Sequence, residues 1–494
     1  MSAVALLLLL ACSKTVPVGA PVPRHPDVPE RPEDLVAHDT LFTPPISTDY
    51  RHELPGGIPV FIVPGRDIPL VDITLDFAAG EYLETPGQYG IADLTGTAMR
   101  SGGAGDLSPD ALEDELAFLA ADVTSAVSMN RATVSINCVT ENLDACLALL
   151  VDIVRRPRFD ADRLALSAGD KVERMTRRND NADNIATREW QAMLYGRNHP
   201  EARYATAATV QSITRDDVVA FHSQVFHPGN LVIGVSGDVE PADILEQLAA
   251  ALDGWKPLER AEDPPAPTHE MTPGLYHIEK DVPQAKVRIG MRGPQRSDPD
   301  AVPLLVMSQI VGGGTFTARL MKRIRTEEGL SYGAYATMQP EIYYPGEYTT
   351  EFQTRSATTA LAVKIAFEEF RRIRDEPVSD EELAGAKATL LTQIPRAFAS
   401  RDSMVDIFVS ETIHRRSPSY YADVLAEIKA VSVADVQRVA QKWVRPDEMS
   451  ILIVGNWDDV ARGDAEGRAD MSGFFAGKVE HLPLLDPLTM EPIE

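Results

Sequence analysis

The chain has 494 residues, 44% apolar and 24% charged, with a formal net charge of −27. That length exceeds one ordinary core of ~100–200 residues and calls for two or more domains, in a composition typical of soluble globular proteins. The acidic balance argues against nucleic acid as a partner, and nothing after residue 12 approaches the ~18–20 apolar residues of a membrane helix.

The N-terminus reads MSAVALLLLLACSKTVPVGAPVP. Its apolar run, residues 3–11, has signal-peptide length and ends in Leu9-Leu10-Ala11-Cys12. This is the layout of a bacterial lipoprotein cleavage box with Cys12 lipidated, although no basic residue precedes the run and Leu10 is large for its place. An ordinary signal peptide with an incidental cysteine is the plainer alternative. Residues 1–12 are expected to be the signal peptide, and residues 13–47, where prolines recur, an extended tether. The expected location is the bacterial cell envelope, in the periplasm, with a lipid anchor to the outer membrane as the sole membrane attachment.

Strands are expected at 59–63 and 70–78, followed by a helix in GIADLTGTAMRSGG (90–103). Ile91, Leu94 and Ala98 share a face that can be buried, leaving Asp93, Gly96, Thr97 and Arg100 on the other. Gly96 costs such a helix ~1 kcal/mol relative to Ala. Ser108-Pro109 opens a helix over 108–120, then come strands at 122–128 and 131–139 and helices at 141–156 and 160–178. Cys138 ends a strand and Cys146 lies in the next helix; a disulfide and two buried thiols are both open to this pair.

The chain then repeats itself. ITRDDVVAFHSQVFHPGNLVIGVSGDV, from Ile213, matches VSVADVQRVAQKWVRPDEMSILIVGNW, from Val431, at a constant offset of 218 residues, pairing Asp217 with Asp435, Pro228 with Pro446 and Gly237 with Gly455. RRPRFDADRL (155–164) likewise resembles RDEPVSDEEL (374–383), and Gly102-Gly103 has a counterpart in Gly312-Gly313-Gly314. The second copy is expected to have strands at 284–291, 333–338 and 346–354 and helices at 299–311, 358–374 and 380–392. Two copies, 48–255 and 275–480, flank a Pro- and charge-rich linker at 256–274, and their paired strands followed by helical blocks indicate an α+β layer structure.

The duplication, with LPGGIPVFIV, AAGEYLE and GIADLTGTAMRSGG in the first copy, resembles the pitrilysin/insulinase-type zinc metallopeptidases, nearest to the two-domain mitochondrial processing peptidases and their bacterial relatives. The resemblance spans residues 48–460 and implies tandem α/β-roll domains, each an antiparallel-rich sheet packed with helices. Active members carry His-x-x-Glu-His on the helix at 91–101, where i and i+4 share a face and both imidazoles reach one Zn²⁺. Here those positions are Asp93, Gly96 and Thr97, so both ligands and the general base are missing. Glu173, 76 residues beyond Thr97, stands where the family's distal Glu ligand belongs; it is a candidate remnant or a solvated helix residue. None of the ten histidines pairs with another at i, i+4 on a helix, so this chain is expected to bind no metal.

The second copy keeps more. GGGTFTARLMKRIRTEEGLSYGAYATM (312–338) resembles the family's second signature, with Arg325 and Tyr332 at its Arg and Tyr and with Gly312, Gly313 and Gly314 as candidate substrate-binding residues. On that resemblance Arg325 and Tyr332 stabilise charge on a peptide carbonyl held at zinc in a partner subunit bearing His-x-x-Glu-His. The expected role is the non-zinc-binding subunit of a heteromeric metallopeptidase acting on peptides. The alternative is a non-catalytic scaffold or peptide-binding protein of the envelope.

Overall fold

The computed structural model describes residues 42–493. The expected signal peptide, Cys12 and nearly all of the tether lie outside the described residues. Two six-stranded sheets are built. The first contains β1 (Arg51–Leu54), β2 (Ile58–Pro64), β3 (Leu70–Phe77), β4 (Asp122–Val127), β5 (Ala132–Val139) and β6 (Leu231–Gly237), in the order β1-β2-β6-β3-β5-β4. The second contains β7 (Leu275–Glu279), β8 (Gln284–Arg292), β9 (Ala334–Gln339), β10 (Glu347–Arg355), β11 (Ser450–Gly455) and β12 (Val479–Leu482), in the order β12-β7-β11-β8-β10-β9.

The repeat in the sequence is a repeat in topology. β6 lies parallel to β2 and antiparallel to β3, as β11 lies parallel to β7 and antiparallel to β8. Both inserted strands are buried along nearly their whole length, because helices cover both faces at the sheet centre. β5, with one face less covered, alternates buried and half-buried residues throughout. The copies part at their first-placed strand: β1 forms an antiparallel hairpin with β2, whereas β12 arrives from the C-terminal end and lies parallel on β7.

The first copy's helices are α1 (Ile91–Ser101), α2 (Pro109–Phe118), α3 (Leu143–Arg155), α4 (Ala161–Thr176), α5 (Ala182–Tyr195), α6 (Ala207–Ser212), α7 (Arg215–Val225) and α8 (Pro241–Ala251). The second copy's are α9 (Ala301–Gly312), α10 (Thr359–Asp375), α11 (Asp380–Ala397), α12 (Arg401–Ile413), α13 (Tyr420–Ala430), α14 (Val433–Trp443) and α15 (Trp457–Ala461). Capping chemistry is duplicated with them. Thr214 and Asp217 form a capping box on α7, and Ser432 and Asp435 form the equivalent box on α14. α1 and α9 each stop at a glycine cap, Gly102 and Gly313, followed by a left-handed glycine, Gly103 (φ 80°) and Gly314 (φ 82°).

The copies are not independent bodies. Helix α5 of the first copy packs on the second sheet, where Ile185, Trp190 and Leu194 join Ile278, Leu452 and Val454 in one apolar cluster. Helix α12 of the second copy packs on the first sheet, with Phe408 tilted against Phe61 and stacked on Tyr50 at centroid distances of 5.9 and 5.2 Å. Each half therefore seals one face of the other's sheet. Residues 256–274 contain no helix or strand and are tied to the first copy, with Leu258 and Ala261 donating backbone N–H to His227 Nδ1 and Asn230 Oδ1. Cys138 and Cys146 are free, buried thiols, so of the two alternatives the structure shows the thiols; burial and the neighbouring Cys146 push Cys138 up to about 12. Among the described residues no helix is long and apolar enough to cross a membrane.

Candidate functional site

Helix α1 begins at Gly90 (φ 99°), whose N–H and that of Ala92 donate to the buried Glu84 carboxylate at 2.9 and 3.0 Å. A carboxylate capping the positive end of a helix is stabilising there. One turn in, Asp93 accepts from Lys171 Nζ of α4 at 2.6 Å. Glu173 is exposed and faces Arg177 at 3.4 Å. Residues two apart on a helix point ~200° from one another, so when Lys171 faces α1, Glu173 cannot. Gly96 is buried against β4: a Cβ there would come within 3.3 Å of Val127 N, and Thr97 is exposed.

These residues do not make a zinc site. No imidazole is present, an ammonium already neutralises Asp93, and among the described residues no group of three or more His, Cys, Asp or Glu could hold a metal. What remains is a carboxylate cluster. Glu81 is pushed up to about 7, chiefly by burial, with Glu84 and Asp93 adding repulsion and Lys171 and Arg203 opposing it.

The second-copy motif is built by a different local device. Residues Met321–Glu327 form a π-helix, a wound turn found disproportionately at functional sites. It closes with Leu330 N–H donating to the Ile324 carbonyl while Gly329 takes a left-handed conformation (φ 61°), which accounts for the Gly-Leu of the motif. Ser331 Oγ then donates to the Gly333 carbonyl and accepts from Gly333 N–H, a turn that swings Tyr332 back over the helix. The Arg325 guanidinium carbon consequently lies 4.6 Å from the Tyr332 ring centre and 4.4 Å from that of Phe316.

Arg325 and Tyr332 are thus brought together, with a third residue the motif did not flag. Tyr332 is 84% and Phe316 66% exposed, so both rings stand in solvent beside the guanidinium. Arg325 has no carboxylate partner among the described residues, since the nearby Glu328 is taken by Arg468 at 2.7 Å. Among the described residues nothing accepts from its guanidinium N–H groups, which leaves them for a ligand. Each exposed cation–π contact contributes ~0.5–1 kcal/mol, against ~1.5–2 kcal/mol to order an arginine side chain, so two rings are needed where one would not suffice.

The glycines have packing reasons of their own. A Cβ on Gly312 would lie 2.2 Å from Ala336 N, and one on Gly313 2.2 Å from the Gln309 side chain, whereas Gly314 is needed for its positive φ. The close approach at Gly312 seals the free edge of β9. Ser308 Oγ donates to the Ala336 carbonyl (2.9 Å) and accepts from Met338 N–H (3.1 Å), and Ala334 N–H meets Met321 Sδ. On the corresponding edge strand of the first sheet, β4, Arg100 Nε donates to the Val123 carbonyl at 2.9 Å, and α1 lies beneath.

Comparison with known proteins agrees with this geometry. Residues 66–205 match the insulinase family, peptidase family M16, and residues 212–390 match the peptidase M16 inactive domain. The chain is 23% identical over 405 residues to the non-peptidase homolog YmxG of Helicobacter pylori, covering 81% of this chain and 92% of that protein. It is 22% identical over 384 residues to a probable mitochondrial-processing peptidase subunit beta of Arabidopsis thaliana, covering 71% of this chain and 68% of that one. The crystal structure of a peptidase M16 inactive domain from Pseudomonas fluorescens superposes with a TM-score of 0.74 at 26% identity, over 82% of this chain and 98% of that one. With both copies matched and the duplicated fold shared, the chain belongs to the M16 (insulinase) family of peptidases, as a homologue without the zinc-binding helix motif.

Proposed function

We propose that this chain is the non-zinc-binding subunit of a heteromeric M16 peptidase, and that Arg325 and Tyr332 act on a peptide held by a partner subunit bearing His-x-x-Glu-His. The observation that carries the proposal is the Arg325 guanidinium, held against two solvent-exposed rings with no carboxylate partner among the described residues. Peptide hydrolysis develops negative charge on the carbonyl oxygen. Donors fixed in advance at that position stabilise it without reorganisation, whereas a free surface arginine would have to be ordered first. Zinc bound in the partner would polarise the same carbonyl; this chain's part is to donate from Arg325 and from the Tyr332 hydroxyl.

The peptide would be bound extended, by strand pairing at a sheet edge of the zinc-bearing partner; this chain's own edge strands already carry side-chain partners, Ser308 and Met321 on β9 and Arg100 on β4. At the Gly312–Gly314 turn beside Arg325, the exposed Gly314 leaves room for an approaching peptide backbone. The reading places the complex in the periplasm, tethered through a lipidated Cys12. A scaffold or peptide-binding role is the second reading, favoured by the Lys171–Asp93 pair that closes the first-copy site.

Peptide hydrolysis with zinc present separates the two, measured for this chain alone and mixed with its nearest His-x-x-Glu-His paralogue. Activity in the mixture alone is the expected result. No activity in either sample, with zinc on the paralogue only, leaves the scaffold reading.

A further inference from the structure

We propose that Phe316 is a positioning residue for Arg325: its ring, with that of Tyr332, holds the guanidinium in place, so that the arginine keeps its donors available to a peptide. This rests on the reading of Arg325 given above, and its structural half stands without it. Phe316 sits on the Gly-rich turn after α9, belongs to neither large apolar core, and is 66% exposed. A phenylalanine contributing nothing to the core, set in water, calls for a local reason, and the guanidinium 4.4 Å away supplies one. Of the ten large apolar side chains left exposed among the described residues, Phe316, Tyr332 and Tyr335 gather at this one place, Tyr335 lying beside Gly314.

The geometry also explains why a ring and not an acid does the holding. A carboxylate at position 316 would order Arg325 equally well but would occupy the donors that a peptide oxygen needs. An aromatic ring attracts the cation through its face and leaves the N–H groups unspent. The left-handed Gly314 and the tight Gly312 turn aim residue 316 back across the π-helix, so the glycines and the phenylalanine form one device.

Two measurements on Phe316→Ala, Phe316→Tyr and Phe316→Trp test this. In the isolated full chain, the rate at which phenylglyoxal labels Arg325, read by mass spectrometry, should rise about two- to fivefold in Phe316→Ala and stay at the wild-type rate in the two aromatic variants. An unchanged rate in Phe316→Ala overturns the stack. In the complex with the paralogue, Phe316→Ala should lower kcat about tenfold with KM little changed, and both aromatic variants should restore it. Faster labelling with unaltered kcat overturns the positioning role. A wild-type complex that cleaves no peptide, while labelling behaves as expected, counts against the peptidase reading and leaves the stack in place.

Discussion

Lys171 Nζ stands 2.6 Å from a carboxylate oxygen of Asp93, joining α4 to α1 at the helix face where active relatives of this family bind their metal. The ammonium neutralises a cluster that also holds Glu81 and Glu84. Replacing it with methionine should cost about 1–2 kcal/mol in urea denaturation, below the figure for a fully buried pair because Asp93 is 42% exposed. The same cation should repel an introduced metal. Asp93→His with Thr97→His should acquire zinc, measured by equilibrium dialysis, only when Lys171→Gln is added. Zinc uptake with Lys171 in place would show that the ammonium does not guard the site.

Glu81 gives the cluster a pH signature. Its folded value of about 7 lies above the usual 4.5, so the native state holds a proton that the unfolded chain has released. Its contribution is fully present below about 4.5 and is lost as pH rises towards 7, a fall of about 1–3 kcal/mol. His222 and His414 act in the opposite direction, since burial pushes each down to about 4 and stability is lost as pH falls below 6.5. The difference between wild type and Glu81→Gln isolates the carboxyl: it should change steadily between pH 4.5 and 7 and be flat above pH 8. A difference independent of pH across that window would mean that Glu81 titrates normally.

At the second-copy site, Arg325→Ala should lower turnover of the complex by about 10²–10³-fold, the usual consequence of removing one preorganised donor from a developing oxyanion. Tyr332→Phe keeps the ring against the guanidinium and removes only the hydroxyl, so labelling of Arg325 should not change while kcat falls. Assembly, followed by analytical ultracentrifugation, should be little affected in both. Equal loss of assembly and activity would make this an interface rather than a reacting site.

What could be read without coordinates was whatever is encoded locally. The Ser108 start of α2 depends on neighbours a few residues away, and the repeat exposed itself through the local matches of Asp217 with Asp435, Pro228 with Pro446 and Gly237 with Gly455, the acidic pair closing the capping boxes of α7 and α14. The short strand β1 has three polar residues of four and one buried residue, so it carries little pattern to detect. Glu173 was placed by counting, and helix phase put Lys171 at α1 instead. Phe316 left no periodic signal, because its reason lies nine residues away on another turn. Nor does the apolar stripe of α5 say which sheet it covers; that depends on the whole chain.

The exchange of α5 and α12 makes the two copies one cooperative unit. Gly234 is one tight point, since a Cβ there would lie 2.2 Å from Val405 Cγ1 of α12 and 2.7 Å from Thr74 Oγ1. Gly234→Ala should therefore cost about 1–3 kcal/mol by overpacking, although the residue is in the first sheet and its neighbour in the second copy. On the other side, Trp190 is fully buried and donates to Glu347 Oε2 at 2.9 Å, so Trp190→Ala should cost about 3–5 kcal/mol. If the copies are coupled as the structure has them, each variant still unfolds in a single urea transition, with far-UV circular dichroism and tryptophan fluorescence coincident. Residues 43–255 made alone should expose the face of their sheet that α12 covers and aggregate, and co-expression with residues 256–494 should restore soluble protein. Two separated transitions, or a soluble and folded first half, would show that the exchanged helices decorate the sheets without holding the copies together.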